Sequence, residues 1–227
     1  MRTVDAPSPN QGPRRGGAEP DLVVLHHTGM ASAAAALERL RDPAAAVSAH
    51  YLIGADGTVW QLVPEDRRAW HAGAGAWGGV TDVNSRSIGI ELDNPGPLAG
   101  LPPFAAPQMA VLEALLADIL ARWAIPPERV IGHSDMAPGR KADPGPRFDW
   151  QRLARAGLSV WPEPGAADAD FWVCAHRFGY RMAAVPGAAE ALLSAFRLRF
   201  RPGAAGPVDA ADRAMIADLA ARYPGPG

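Results

Sequence analysis

The chain of 227 residues is short of lysine, of cysteine and of long apolar stretches. Its single cysteine, Cys174, excludes an internal disulfide framework and gives no sign of an oxidising compartment. No apolar run approaches the roughly 18–20 residues that a membrane-spanning helix needs. A formal net charge of −2 gives no general attraction to nucleic acid or to anionic membranes. The sequence therefore predicts a globular protein without a membrane span and without a nucleic-acid partner.

The first twenty residues are rich in proline, glycine and polar side chains. They lack the apolar stretch of a secretory signal, so we predict an irregular N-terminal arm over residues 1–20. The expected location is the cytoplasm, or the periplasm or envelope if a leader is missing from this chain.

Residues 21–160 alternate between patterns typical of strands and of helices. Short apolar or alternating runs predict strands at 21–29, 50–63, 87–93 and 129–133, the second of them a hairpin turning at Asp56 and Gly57. Helical spacing and favourable residues predict helices at 31–42, 107–124 and 150–156. Strands interleaved with helices indicate an α/β domain.

The composition changes at residues 161–167, which we interpret as a linker. Amphipathic patterns then predict three short helices at 168–178, 187–200 and 209–222. The region 168–224 is thus expected to form a small helical module, which would be marginal in isolation because so few residues bury little surface.

Of the 22 basic residues of the Lys and Arg types, only Lys141 is a lysine, and it lies in the segment GHSDMAPGRKADPGPRFDW. Five of the six histidines fall in the α/β region, at strand ends or in the glycine-rich and tryptophan-rich loop 64–86. A catalytic zinc takes three protein ligands and leaves a position open. His26 or His27, His133 and Asp143 could converge at one sheet edge to supply them.

Each of these residues also has a structural interpretation. A histidine at a strand end is often only hydrogen-bonded, and Asp before Pro-Gly makes a favourable turn. Glu91 could be an edge charge and Lys141 a surface residue. The HExxH signature of helix-borne zinc proteases is absent, so any metal site must be assembled from separated segments.

Four motifs occur in a fixed order: LVVLHHTG, VSAHYLIGADGTVWQLVPEDRRAWHAG, SIGIELDNPG and VIGHSDMAPGRKADPGPRFDW. Together they resemble the amidase type 2 family of zinc-dependent N-acetylmuramoyl-L-alanine amidases over residues 21–156. The resemblance implies a mixed central β-sheet flanked by helices, as in peptidoglycan-recognition proteins. The region 168–224 is similar to a peptidoglycan-binding-like module, which we expect to pack on the catalytic domain rather than to bind independently.

The resemblance also implies roles for individual residues. The ligands of one zinc ion per chain would be His26, His133 and Asp143. Glu91 would be the catalytic acid/base, and Lys141 would support the developing oxyanion. Location alone, within the motifs or in and near the loop 64–86, suggests as candidate substrate-binding residues His50, His71, Trp77, Asn94 and Arg140.

The implied substrate is the amide between the lactyl group of N-acetylmuramic acid and L-alanine, in peptidoglycan or in muropeptides. A second hypothesis is a non-catalytic peptidoglycan-recognition protein on the same scaffold. Such a protein would be expected to lack part of the zinc set, whereas all three ligands, Glu91 and Lys141 are present here. The sequence does not reveal the oligomeric state.

Overall fold

The computed structural model describes residues 3–163, 165 and 169–225. The strands are β1 (Thr3–Asp5), β2 (Gln11–Pro13), β3 (Leu22–His27), β4 (Tyr51–Ile53), β5 (Val59–Gln61), β6 (Arg67–Ala69), β7 (Ser87–Leu92) and β8 (Val130–Gly132). The helices are α1 (Ala33–Arg41), α2 (Val83–Arg86), α3 (Ala106–Trp123), α4 (His133–Met136), α5 (Trp150–Arg155), α6 (Phe171–Phe178), α7 (Ala188–Phe200) and α8 (Ala210–Arg222). Among the described residues, every helix is too short or too polar to cross a membrane.

Six strands form one mixed sheet in the order β1-β5-β4-β7-β3-β8. β3 pairs in parallel with both β7 and β8, while β4 and β5 form the antiparallel hairpin predicted around Asp56 and Gly57. The first five residues of β3 are buried, as expected for a parallel strand covered on both faces. The predicted mixed α/β fold is confirmed.

Side chains of β3 alternate between two apolar cores. Val23 and Leu25 pack into the core that contains α3, and Leu22 and Val24 face the core that contains the C-terminal helices. Because alternate residues of a strand share a face, His26 lies on the same side of the sheet as Leu22 and Val24. This alternation directs His26 toward the side of the sheet covered by the C-terminal helices.

The N-terminal arm, predicted to be irregular, contains two strands. β1 extends the edge of the main sheet by pairing in parallel with β5, and β2 pairs antiparallel with β6. Arg14 anchors the arm, since its buried guanidinium donates hydrogen bonds to the carbonyls of Glu65, Ser85 and Ser87. Strands of three residues carry too little alternation to be recognised from a sequence pattern.

The three predicted C-terminal helices are present as α6, α7 and α8. Phe171, Phe196 and Phe200 share one apolar core with Leu22 and Val24 of the central sheet. Residues 164 and 166–168, which include three of the seven residues of the predicted linker and the first residue of the predicted helix 168–178, lie outside the described residues. The position of a domain boundary remains a prediction.

A buried polar network joins the C-terminal helices to the turn after β8. Asp135 accepts hydrogen bonds from the Arg199 guanidinium at 2.8 Å, from the Tyr180 hydroxyl at 2.6 Å and from the Gly132 N–H at 2.8 Å. Arg199 also lies over the ring of Trp150, with its guanidinium carbon 4.2 Å from the ring centroid. Because Asp135 follows His133 by two residues, this network holds the turn that carries His133.

We expect Arg199→Met to lower the free energy of unfolding by about 3–5 kcal/mol, because it leaves the buried Asp135 carboxylate without its counter-charge. Urea unfolding monitored by circular dichroism measures the change. Arg222→Met is the control, since Arg222 pairs with Asp218 near the surface and should cost at most about 1 kcal/mol. Equal losses in the two variants would contradict a structural role for the buried pair.

Candidate metal centre and active site

Three side chains converge at the carboxyl ends of two neighbouring parallel strands. His26 is the next-to-last residue of β3, His133 directly follows β8, and Asp143 lies on the loop after α4. His26 Nδ1 lies 2.9 Å from His133 Nδ1, and each of these nitrogens lies 3.0 Å from Asp143 Oδ2. The Ser134 N–H donates to the Asp143 carbonyl at 2.9 Å, which holds the loop against the His133 turn.

Two of these three atoms, His133 Nδ1 and Asp143 Oδ2, present lone pairs to their neighbours. His133 Nε2 lies 2.9 Å from the Ala72 carbonyl, which can only accept, so Nε2 carries the proton and Nδ1 does not. Burial opposes ionisation of Asp143, but its contacts with His133 and His26 outweigh burial and hold the pKa of Asp143 below its usual range. Asp143 is therefore a carboxylate at neutral pH.

Burial lowers the pKa of His26 to about 4, so its ring is neutral at pH 7. The three donor atoms lie within 4.8 Å of one another. Two imidazole nitrogens and one carboxylate oxygen are a ligand set that suits zinc and leaves a fourth position open. The donor set therefore fits the metal that the sequence predicts, and His27 is not part of it.

Glu91 is aligned with His26 across β3 and β7, so both side chains project from the same face of the sheet. Its Oε2 atom is buried and has no hydrogen-bond partner among the residues that the structure describes. Burial first, and then the negative charge of Asp143, raise the pKa of Glu91 to about 8, against the opposing effect of the Lys141 ammonium. An unpaired buried carboxyl oxygen beside a candidate metal site is suited to proton transfer.

A cavity of about 550 Å³ contains this site. Lys141 is exposed and lies on the cavity wall together with the metal-site residues and Glu91. Met30, Arg39, Val47 and Trp70 form further parts of the wall. The cavity thus places a carboxyl group, an ammonium group and three metal-ligand atoms where one substrate can contact them.

Of the five candidate substrate-binding residues, His71 lines the metal-site cavity and the other four do not. His71 Nδ1 lies 3.0 Å from His26 Nε2. His50 is fully buried away from the cavity, and its Nδ1 accepts the Gly89 N–H at 2.9 Å. Trp77 is 2% exposed and packs edge-on against Phe178, in the core shared with the C-terminal helices.

Asn94 and Arg140 are held by backbone contacts. The Asn94 side chain donates to the Pro102 carbonyl at 3.1 Å and accepts the Gly96 N–H at 2.9 Å, so it stabilises a loop. Arg140 donates a hydrogen bond to the Ala72 carbonyl at 2.6 Å. The same carbonyl accepts the hydrogen bond from His133 Nε2. Its guanidinium lies along a second cavity rather than along the metal-site cavity.

Two residues that position the site were not predicted for that role. Asn84 is buried, and its side-chain oxygen accepts the N–H groups of His71 and Ala72 at 3.0 and 2.8 Å. Ser87 contacts His71 from β7 at 3.1 Å. Neither residue has a sequence pattern of its own, because a single buried hydrogen bond leaves no periodic signal.

Comparison with known proteins identifies the relationship. Residues 16–146 match the family model described as N-acetylmuramoyl-L-alanine amidase. The N-acetylmuramoyl-L-alanine amidase AmiD of Escherichia coli (strain K12) is 38% identical over 208 residues, which cover 78% of this chain and 75% of that protein. The chain belongs to the N-acetylmuramoyl-L-alanine amidase family.

A second relative of the amidase is the 1,6-anhydro-N-acetylmuramyl-L-alanine amidase AmpD of Enterobacter cloacae. It is 44% identical over 108 residues, which cover 48% of this chain and 56% of that protein. The part of the amidase that matches AmpD is thus about half of the chain.

Solved structures extend the relationship over nearly the whole amidase. The complex of Escherichia coli AmiD with the substrate anhydro-N-acetylmuramic acid-L-Ala-D-gamma-Glu-L-Lys has a TM-score of 0.81 and 35% identity, covering 98% of this chain and 93% of that chain. AmpDh3 from Pseudomonas aeruginosa in complex with anhydromuramic pentapeptide has a TM-score of 0.83 and 31% identity, covering 93% of this chain and 95% of that chain. The similarity therefore includes the C-terminal helices.

Proposed function

We propose that the amidase hydrolyses the amide between the lactyl group of N-acetylmuramic acid and L-alanine, with one zinc ion held by His26, His133 and Asp143. The observation that carries this proposal is the convergence of three donor atoms within 4.8 Å, beside the aligned Glu91. Family membership supports the reaction, and the donor set supports the metal.

A zinc ion held by His26, His133 and Asp143 would lower the pKa of a water molecule toward about 7 and would polarise the amide carbonyl, which would make hydrolysis feasible at neutral pH. Glu91 takes a proton from the attacking water and passes one to the departing amine of L-alanine. Within the described part of the chain, its buried Oε2 has no competing hydrogen-bond partner, so the oxygen is available for this transfer. Asp143 and the two histidines hold the metal and take no proton from the substrate.

Lys141 supplies positive charge at the cavity wall. A compact ammonium that faces the oxygen of the tetrahedral intermediate stabilises negative charge as it develops. Arginine would present a wide planar fork in place of a point donor. This difference explains why a chain with 22 basic residues of the Lys and Arg types uses its one lysine here.

We expect Lys141→Ala to lower kcat by about 10²–10³-fold with zinc content and fold unchanged, because one oxyanion donor is lost. Lys141→Arg should restore only part of the rate, since the charge returns without the geometry. Steady-state hydrolysis of a muramoyl-tripeptide and elemental analysis measure the two effects. A fully active Lys141→Ala enzyme would show that Lys141 does not stabilise the oxyanion.

The second function considered from the sequence is non-catalytic peptidoglycan recognition on the same scaffold. Glu91 and Lys141 lie on the same cavity as the complete set of candidate zinc ligands. A recognition protein does not need this combination, whereas hydrolysis needs a metal, a proton carrier and an oxyanion donor. The combination therefore favours the enzyme.

The form of the substrate is tested by comparing release of stem peptide from intact sacculi, N-acetylmuramoyl-peptides and 1,6-anhydro-N-acetylmuramoyl-peptides. The similar proteins AmiD and AmpDh3 were solved with anhydromuramic peptides. We expect this amidase to cleave the anhydro form. Failure to cleave any of the three would contradict the proposed reaction, and cleavage of the anhydro form alone would assign the amidase to muropeptide recycling.

A further inference from the structure

His71 lies between a candidate zinc ligand and the sheet. Its Nδ1 is 3.0 Å from His26 Nε2, and its Nε2 is 3.1 Å from the Ser87 hydroxyl oxygen. The Ser87 hydroxyl in turn lies 2.5 Å from the Val83 carbonyl. These contacts form one chain from the carbonyl of Val83 to the imidazole of His26.

The Val83 carbonyl, at one end of this series of contacts, fixes the direction of each hydrogen bond in it. A carbonyl oxygen can only accept, so the single hydrogen of the Ser87 hydroxyl points to Val83. Ser87 must then accept from His71 Nε2, which therefore carries the ring proton of His71. His71 Nδ1 is left with a lone pair and accepts from His26 Nε2.

This assignment leaves His26 Nδ1 without a proton, because a neutral imidazole carries only one. His133 Nδ1 is also unprotonated, since His133 Nε2 donates to the Ala72 carbonyl. Both nitrogens and the Asp143 oxygen then face one another at 2.9–3.0 Å with lone pairs and no hydrogen among them. Such an arrangement repels itself unless a cation lies between the three atoms.

Strand β7 is built to hold His71 in this position. Ser87, Gly89 and Glu91 alternate along the strand and so share one face. A Cβ atom at Gly89 would lie 2.4 Å from Cγ of His71, so only glycine leaves room for the imidazole ring. The Asn84 side chain holds the backbone N–H of His71 at 3.0 Å.

We infer that His71, oriented by Ser87, is a positioning residue that fixes the tautomer of His26 and thereby sets the affinity of the site for zinc. The inference rests on the proposed zinc site. A hydrogen-bond partner of a metal-ligating histidine orients the ring and raises its basicity, and loss of such a partner typically costs about 10–100-fold in metal affinity. His71 acts through His26 and does not itself bind the metal.

The test compares His71→Leu with His71→Asn, two side chains of similar shape. The Asn side-chain oxygen branches from Cγ as Nδ1 does and can accept the His26 proton, whereas Leu cannot. Zinc affinity is measured by competition with a chromophoric chelator, and the unfolding free energy of the metal-free proteins is measured in urea. We expect His71→Leu to bind zinc about 10–100-fold more weakly than wild type and His71→Asn to recover most of that loss.

Ser87→Ala is a second variant in case His71→Leu does not fold. This variant keeps the His71 ring and removes the Ser87 hydroxyl that holds the proton on His71 Nε2. We therefore expect zinc affinity to fall by less than in His71→Leu. Wild-type zinc affinity in His71→Leu or in Ser87→Ala would overturn the inference. Equal weakening in His71→Leu and His71→Asn would also overturn it, because shape alone would then explain the effect.

The zinc measurement separates this inference from the proposed function. A wild-type protein that binds no zinc would contradict the zinc site itself. A wild-type protein that binds one zinc, with unchanged affinity in His71→Leu, would leave the proposed function intact and remove only the role of His71.

Discussion

Glu91→Gln is expected to lower the turnover of a muramoyl-tripeptide by about 10²–10⁴-fold, the usual contribution of a general acid/base. The amide keeps the shape of the side chain but can neither take a proton from water nor return one to the leaving amine. Zinc content should stay at the wild-type value, because Glu91 is not among the three converging metal-ligand residues. Steady-state kinetics and elemental analysis on the same preparation measure both quantities.

Glu113→Gln is the matched control for Glu91→Gln. Glu113 lies on α3 and pairs with Arg152, apart from the metal-site cavity. Its substitution should leave turnover unchanged and stability within about 1 kcal/mol of wild type. Wild-type turnover in Glu91→Gln would show that Glu91 is not the general acid/base.

Asp143→Ala is expected to abolish hydrolysis by removing one of the three metal-ligand groups and the only negative charge among them. Loss of a hydrogen-bond partner of a ligand lowers metal affinity by about 10–100-fold. Loss of the ligand itself should lower zinc affinity by more than this. Chelator competition measures the affinity, and the kinetic assay is repeated at saturating zinc. This outcome differs from that of Glu91→Gln, which should keep the metal.

Asp149→Ala provides the control for Asp143→Ala. Asp149 lies six positions later, and its side chain caps α5 by accepting the Arg152 N–H at 3.0 Å. Its substitution should cost about 1 kcal/mol in stability with zinc affinity unchanged. If Asp143→Ala retained zinc as Asp149→Ala does, Asp143 would not be a ligand.

The sequence pattern predicts the central elements of this fold well because they bury long apolar surfaces. α3 and α7 each have a periodic apolar face, and β3 and β7 are short apolar or alternating runs. The structure places each within the range that the pattern predicts or within one residue of it. His26 and His133 are predictable as partners because the carboxyl ends of neighbouring parallel strands meet at one edge of a sheet.

Loop residues of the site are less predictable, since loops have no period. Its location in the glycine-rich and tryptophan-rich loop predicts a substrate contact for Trp77, but its large apolar ring gains more from burial against Phe178 and Tyr180 than from exposure. His50 similarly satisfies the backbone of Gly89. A sequence shows the type of each side chain but not which of several nearby backbone groups will take its hydrogen bonds.

The N-terminal arm shows a further limit. β1 and β2 are strands only because β5 and β6 offer edges with which they can pair, and nothing within residues 3–13 repeats with a strand period. Pairing between distant segments is a property of the folded chain. The buried ion pair of Asp135 and Arg199, 64 positions apart, is unpredictable for the same reason.

The central claim is that His26, His133 and Asp143 hold one zinc ion on which hydrolysis depends. Its most direct test is elemental analysis of the purified wild-type protein, combined with hydrolysis of a muramoyl-tripeptide before chelation, after chelation and after addition of zinc. We predict one equivalent of zinc per chain, loss of hydrolysis on chelation and recovery on addition of zinc. A fully active preparation that contains no metal would contradict the account.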